Sequence, residues 1–105
     1  MSSIKVKELK ARLDAGDDIQ LIDIREEHEV DSGKICDKHI PMADIMNRID
    51  DLRMDVPVII YCKSGSRAEA IVHVLQTEKN MDNAIYLEGG IEAWSSEIDP
   101  SIIVY

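Results

Sequence analysis

The stretch Pro57-Val58-Ile59-Ile60-Tyr61-Cys62-Lys63-Ser64-Gly65-Ser66-Arg67-Ala68 decides how the chain is read. Val58 to Tyr61 is apolar without polar alternation, the pattern of a strand buried on both faces, as parallel sheets require. Beyond Cys62, the residues Ala68, Ile71, Val72 and Leu75 recur at helical spacing and predict a helix over Ala68 to Lys79. A thiol therefore stands where a buried strand ends and a helix is about to begin. Helix starts leave backbone N–H groups unpaired and carry a partial positive charge, which favours a bound anion and a thiolate over a thiol. Lys63 and Arg67 add two cations, and Gly65 lets the backbone bend where a side chain would clash.

Outward from this loop, strands and helices alternate. Val6, Leu9 and Leu13 fall at helical spacing, with Gly16 placed just past a helix end. Ile19 to Ile24 reads as a strand, and Glu26 to Ser32 as a short polar helix or turn ending at Gly33. Ile35-Cys36 reads as a minor strand, and Pro41 biases Ile40 towards an extended conformation. Ile45, Ile49 and Leu52 give an amphipathic helix across 42–53. Ala84 to Leu87 is a further short strand, and Gly89-Gly90 turns the chain into a last helix carrying Ile91, Trp94 and Ile98. This order predicts an α/β fold: a small three-layer domain with a largely parallel central sheet flanked by helices. Ligand crevices in such sheets lie outside the carboxyl ends of the strands. Cys62, Asp23 to Arg25 and Glu88 to Gly90 occupy three such ends, so the topology gathers them around one site.

The 105 residues suit one core, and the absence of Phe leaves Ile, Val, Leu and Met to fill it. A net charge of −9, spread along the chain, repels nucleic acid and anionic membranes. No apolar run is long enough to span a bilayer, and the start Met1-Ser2-Ser3-Ile4-Lys5 lacks a signal-peptide core, so a cytoplasmic location is expected. Cys36 and Cys62 are too few for a disulfide framework, and His28, His39 and His73 show no ligand spacing with them. Neither a metal nor a cofactor is expected.

Taken alone, a cysteine at a strand end is most often a small buried hydrophobe, and a Ser/Gly turn a solvated loop. Buried strand, Cys, small polar residues around Gly, then Arg and a helix form a much rarer combination. No histidine lies within several residues of Cys62, so the loop favours direct attack by a thiolate over a Cys–His dyad. Cys36 is either a resolving thiol for Cys62 or, the better-supported reading, an incidental thiol at a minor strand.

Tyr61-Cys62-Lys63-Ser64-Gly65-Ser66-Arg67-Ala68 resembles the active-site loop of the rhodanese family of sulfurtransferases. Leu21-Ile22-Asp23-Ile24-Arg25-Glu26 is similar to the family's Leu-Ile-Asp-Val-Arg-Glu signature, and Leu87-Glu88-Gly89-Gly90-Ile91-Glu92-Ala93-Trp94 to its closing Leu-Glu-Gly-Gly signature. The resemblance implies that residues 1–105 form a single rhodanese-like domain. It implies that Cys62 takes sulfane sulfur as a persulfide and passes it to a nucleophilic acceptor. Lys63, Ser64, Gly65, Ser66, Arg67 and Ala68 would then surround the sulfur and favour an anionic donor such as thiosulfate. Asp23 would brace neighbouring loops, and Arg25 would either do the same or touch the substrate.

The longer connection Gly33-Lys34-Ile35-Cys36-Asp37-Lys38-His39-Ile40-Pro41, with the ending Ile98-Asp99-Pro100-Ser101 and Tyr105, resembles the rhodanese domain fused to ubiquitin-activating-type adenylyltransferases of molybdopterin and thiamin synthesis. That likeness implies a cysteine desulfurase, an adenylyltransferase domain and a small ubiquitin-like sulfur carrier as partners. Two alternatives stay open. A non-catalytic rhodanese-like binding module commonly lacks the cysteine that this loop keeps. A Cys-dependent phosphatase or arsenate reductase places one more residue between Cys and Arg than the four found here, Lys63 to Ser66.

Overall fold

Four short strands pair side by side, every pair parallel, in the order β1-β4-β3-β2. They are β1 Ser3–Ile4, β2 Gln20–Asp23, β3 Val58–Tyr61 and β4 Ala84–Leu87. The helices are α1 Val6–Asp14, α2 Glu27–Ser32, α3 Ser66–Glu78 and α4 Gly90–Glu97, with a 3₁₀ helix over Ile45–Asp51. This arrangement comes from a computed structural model that describes residues 2–104; Tyr105 of the closing segment lies outside them.

The central position of β3 explains its sequence. Successive side chains of a strand point to opposite faces, so a strand with helices on both sides must be apolar throughout. Val58, Ile60 and the following Cys62 enter one core with Ala68, Val72 and Leu75 of α3. Ile59 and Tyr61 enter the other core with Leu9 of α1 and Ile91 and Trp94 of α4. All four β3 residues are fully buried. Burying such an aliphatic side chain is worth about 1.5–3 kcal/mol. The sheet with its two helical layers is the expected three-layer α/β architecture.

Three expectations need correction. Ile35-Cys36 is not a strand; pairing with β2 is instead a single bridge between Asp23 and His39. There Asp23 N–H donates to Lys38 O at 3.0 Å and Ile40 N–H to Asp23 O at 2.9 Å, while Ile35 N–H goes to the Tyr61 hydroxyl at 3.1 Å. The 42–53 helix is shorter and wound as a 3₁₀ helix, interrupted at Arg48 (φ −124°, ψ 30°). Its ends are held by tight bonds, Asn47 N–H to Asp44 O and Leu52 N–H to Ile49 O, and Gln20 ties Asp51 O and Arg53 N–H to the start of β2. Finally, α3 begins at Ser66, before its first apolar residue, which puts Ser66 and Arg67 in its first turn. No helix among the described residues is long and apolar enough to cross a membrane.

Candidate active site

Cys62 is the residue after β3 and is 0% exposed. Two backbone amides point at its sulfur: Gly65 N–H donates to Sγ at 3.1 Å and Ala68 N–H at 3.4 Å. The second contact replaces a standard helix cap. An N-cap side chain ordinarily accepts from the N–H two or three positions into the helix. The N-cap of α3 is Gly65, which has no side chain to offer, and Cys62 Sγ accepts the N–H of the third helical residue instead. Gly65 adopts φ +106°, where a side chain is strained, and a Cβ there would stand 3.3 Å from Gly89 N and 3.4 Å from Leu87 O.

The amides face the sulfur because the loop carbonyls face away. Ile91 N–H of α4 donates to Cys62 O at 2.9 Å, and Glu92 N–H donates to Lys63 O at 3.0 Å. The otherwise unpaired first N–H groups of α4 are thereby satisfied by the very carbonyls that must turn from the thiol. Gly90 permits this approach: a Cβ on it would lie 2.5 Å from both Cys62 O and Lys63 O. The Glu88 to Gly90 turn, one of the three strand ends expected at the site, is thus the floor of the loop. The repeated Gly in Leu87-Glu88-Gly89-Gly90 was the sequence signal for it.

The third strand end arrives through α2. Arg25 is 1% exposed and lies against Asp23, with Nη2 donating to Oδ2 at 2.7 Å and Nε to Oδ1 at 3.0 Å. Its remaining N–H groups donate to Glu29 O at 3.3 Å and Gly33 O at 2.6 Å, and its guanidinium sits 5.8 Å from the Tyr61 ring centre. Every contact of the Arg25 guanidinium is internal, which suits bracing α2 rather than touching a substrate. A buried pair of this kind tolerates its desolvation because each polar group is bonded.

Helix α2 presents Glu29, which sequence reasoning passed over. Its carboxylate accepts from Arg67 Nη1 and Nη2, each at 3.0 Å. The Arg67 hydrogen bond holds the Glu29 carboxyl down at about 2 against the opposing effect of burial, with help from the Glu26 backbone N–H. Arg67, one of the two cations that the loop sequence offers, is therefore paired. Lys63 is half-buried with no salt-bridge partner among the described residues, and Ser64 and Ser66 are exposed at the rim. Among the described residues no histidine hydrogen-bonds Cys62; His39 Nε2 is taken up by Arg25 O at 2.6 Å. No cluster of three or more metal-ligating side chains occurs among the described residues.

Cys36 lies elsewhere. Its thiol faces Leu21 O at 3.3 Å, Lys38 O at 3.5 Å and the Tyr61 hydroxyl at 3.8 Å, within the α1/α4 core. Cys62 belongs to the core on the other face of the sheet, so Cys36 is not placed to resolve a persulfide on it. Burial pushes the Cys36 thiol up to about 11, the Tyr61 hydrogen bond only partly offsetting it.

Comparison with known proteins adds to this geometry. The family model described as "Rhodanese-like domain" matches residues 5–97. A protein of Allochromatium vinosum named "Sulfurtransferase" is 34% identical over 97 residues, covering 90% of this chain and 89% of its own. MoeZ of Mycobacterium tuberculosis, provisionally named an adenylyltransferase/sulfurtransferase, is 32% identical across 99% of this chain, which spans only 27% of MoeZ. Among solved structures, a rhodanese-like domain protein from Staphylococcus aureus superposes with a TM-score of 0.83 at 31% identity, covering 100% of this chain and 99% of that one.

Proposed function

This chain belongs to the rhodanese-like domain family, and on that premise we propose that it is a sulfurtransferase that carries sulfane sulfur on Cys62. The names of its relatives support sulfurtransferase activity in general. The observation that carries the assignment to Cys62 is the pair of loop amides aimed at its sulfur, 3.1 and 3.4 Å away.

The chemistry follows from that arrangement. With thiosulfate, the Cys62 thiolate attacks the outer sulfur; the new S–S bond forms as the bond to the sulfonate sulfur breaks, and sulfite leaves with the electron pair. A nucleophilic acceptor then attacks the outer sulfur of the persulfide, and Cys62 leaves as the thiolate. No proton has to be removed by a base in either step if the thiolate is the resting form. Loop N–H groups supply the stabilisation of negative charge on sulfur, preorganised before the donor arrives. Lys63, Ser64, Gly65, Ser66, Arg67 and Ala68 form the binding surround, and Asp23 and Arg25 support it through α2.

For the physiological setting we favour a cytoplasmic protein whose donor is thiosulfate or a persulfide on a cysteine desulfurase. The candidate acceptor is the activated C-terminus of a small ubiquitin-like carrier, presented by an adenylyltransferase. The likeness to MoeZ, which carries an adenylyltransferase name beside the sulfurtransferase one, supports the adenylyltransferase part of this setting. The four-residue spacing between Cys62 and Arg67 favours a single sulfur atom over a tetrahedral phosphate.

Steady-state transfer from thiosulfate to cyanide, run beside hydrolysis of an aryl phosphate, tests the reading. Thiocyanate formation that Cys62→Ser abolishes is expected, with no Cys62-dependent phosphate release. Robust aryl phosphate turnover by the wild type would overturn it.

A further inference from the structure

The ion pair between α2 and α3 bears on which donors the Cys62 loop accepts. Glu29 grips Arg67 through both carboxylate oxygens, and the pair is partly enclosed, with side chains 14% and 33% exposed. A guanidinium held at this distance by a carboxylate presents little net field to a third charge. Glu29 is also fixed in place. It is the third residue of α2, where its carboxylate accepts the Glu26 N–H at 3.0 Å, and its carbonyl accepts from Arg25 at 3.3 Å. With its carboxyl held at about 2, it stays ionised at any pH used for sulfur transfer. Arg67 immediately precedes Ala68, whose N–H donates to Cys62 Sγ at 3.4 Å, so whatever compensates Arg67 alters the potential at the sulfur. Lys63 is then the loop's remaining cation, on a chain whose net charge of −9 repels small anions.

We propose that Glu29 is a specificity-determining residue: by neutralising Arg67 it weakens the site's attraction for small dianionic donors. Resting on the sulfur-transfer reading above, this tilts the loop towards donors that bring less charge to the reacting sulfur, such as a persulfide presented on a protein cysteine.

The test compares two donors that share the reacting S–SO₂ bond but differ by one charge: thiosulfate, a dianion, and an arenethiosulfonate, a monoanion from which sulfinate leaves in place of sulfite. Glu29→Gln is the informative variant because Gln still accepts the Glu26 N–H and preserves the α2 start. Its KM for thiosulfate is expected to fall about three- to tenfold, and that for the monoanion by about half as much on a logarithmic scale, with kcat within about twofold. Glu29→Asp, which keeps the charge, is expected to retain most of the wild-type preference. An arm that needs no variant is the salt dependence of the wild-type KM for thiosulfate, expected to be flat or falling as salt screens the net repulsion.

A thiosulfate KM that rises or stays unchanged in Glu29→Gln, an equal shift for both donors, or a wild-type KM that climbs steeply with salt each overturns the proposal. Absence of sulfur loading on the wild type from either donor overturns the sulfur-transfer reading itself and this proposal with it. Wild-type turnover without the donor-dependent shift overturns the role of Glu29 alone.

Discussion

Cys62 and Cys36 sit on opposite faces of one sheet, and their surroundings are opposite in polarity. Around Cys62 the nearest polar groups are N–H donors, from Gly65 and Ala68. Around Cys36 they are oxygens: the Leu21 and Lys38 carbonyls accept from a thiol and repel a thiolate, and the Tyr61 hydroxyl only partly offsets this. Exposure does not explain the difference, since Cys62 is fully buried and Cys36 half-buried. What differs is the backbone. A helix start turned towards one sulfur supplies donors, while carbonyls of an extended segment and its neighbour surround the other.

Pushing the donors away from Cys62 should have the largest effect. Gly90→Ala sets a Cβ within 2.5 Å of Cys62 O and Lys63 O, at a backbone φ of +58°. The loop must move, and a loss of about 2–4 kcal/mol in urea-unfolding stability is expected, with sulfur loading reduced at least about tenfold. Near-wild-type values for both would mean that the α4 floor does not shape the loop. Gly65→Val acts more locally, through a β-branched residue at φ +106°. About 1–3 kcal/mol of destabilisation is expected, with a similar or larger fractional loss of loading. Unaltered loading in a stable Gly65→Val protein would contradict the role given to the Gly65 amide.

These glycines also show what a linear sequence can and cannot disclose. The apolar run of β3, the glycine after Cys62 and the Gly89-Gly90 pair are local signals, and the strand, loop and turn they imply form where expected. Ile35-Cys36 carries the same kind of β-branched, apolar signal, yet its backbone and thiol are claimed by Tyr61 and Leu21, partners remote in sequence. The 42–53 segment has the apolar spacing of an α-helix, but it is wound more tightly between Pro41 and its tether to Gln20. The sequence puts the start of α3 late because Ser66 and Arg67 add nothing to an apolar period. Glu29 escaped notice for a related reason. Its polar helix reads as a solvated face, and only the fold brings it to Arg67, 38 positions away.

A smaller effect sharpens the Cys36 side. Its thiol titrates near 9.0 when unfolded and is pushed up to about 11 when folded. Below pH 9 both states hold the proton and nothing is lost. As pH rises from 9 towards 11 the unfolded state releases the proton first, so Cys36 removes stability across that window, of order 2 kcal/mol by its upper end. Comparing pH-dependent unfolding of the wild type with Cys36→Ala isolates this from other alkaline titrations. The variant is expected to lose less stability between pH 9 and 11, and identical pH slopes would remove the contrast in environment.

On this account sulfur is carried on Cys62 and not on Cys36. Intact mass after exposure to thiosulfate, or to a cysteine desulfurase with cysteine, tests this directly. The wild type and Cys36→Ser are predicted to gain one sulfur atom that cyanide removes, and Cys62→Ser to gain none. A cyanide-labile gain that persists in Cys62→Ser, or no gain by the wild type under either donor, would contradict it.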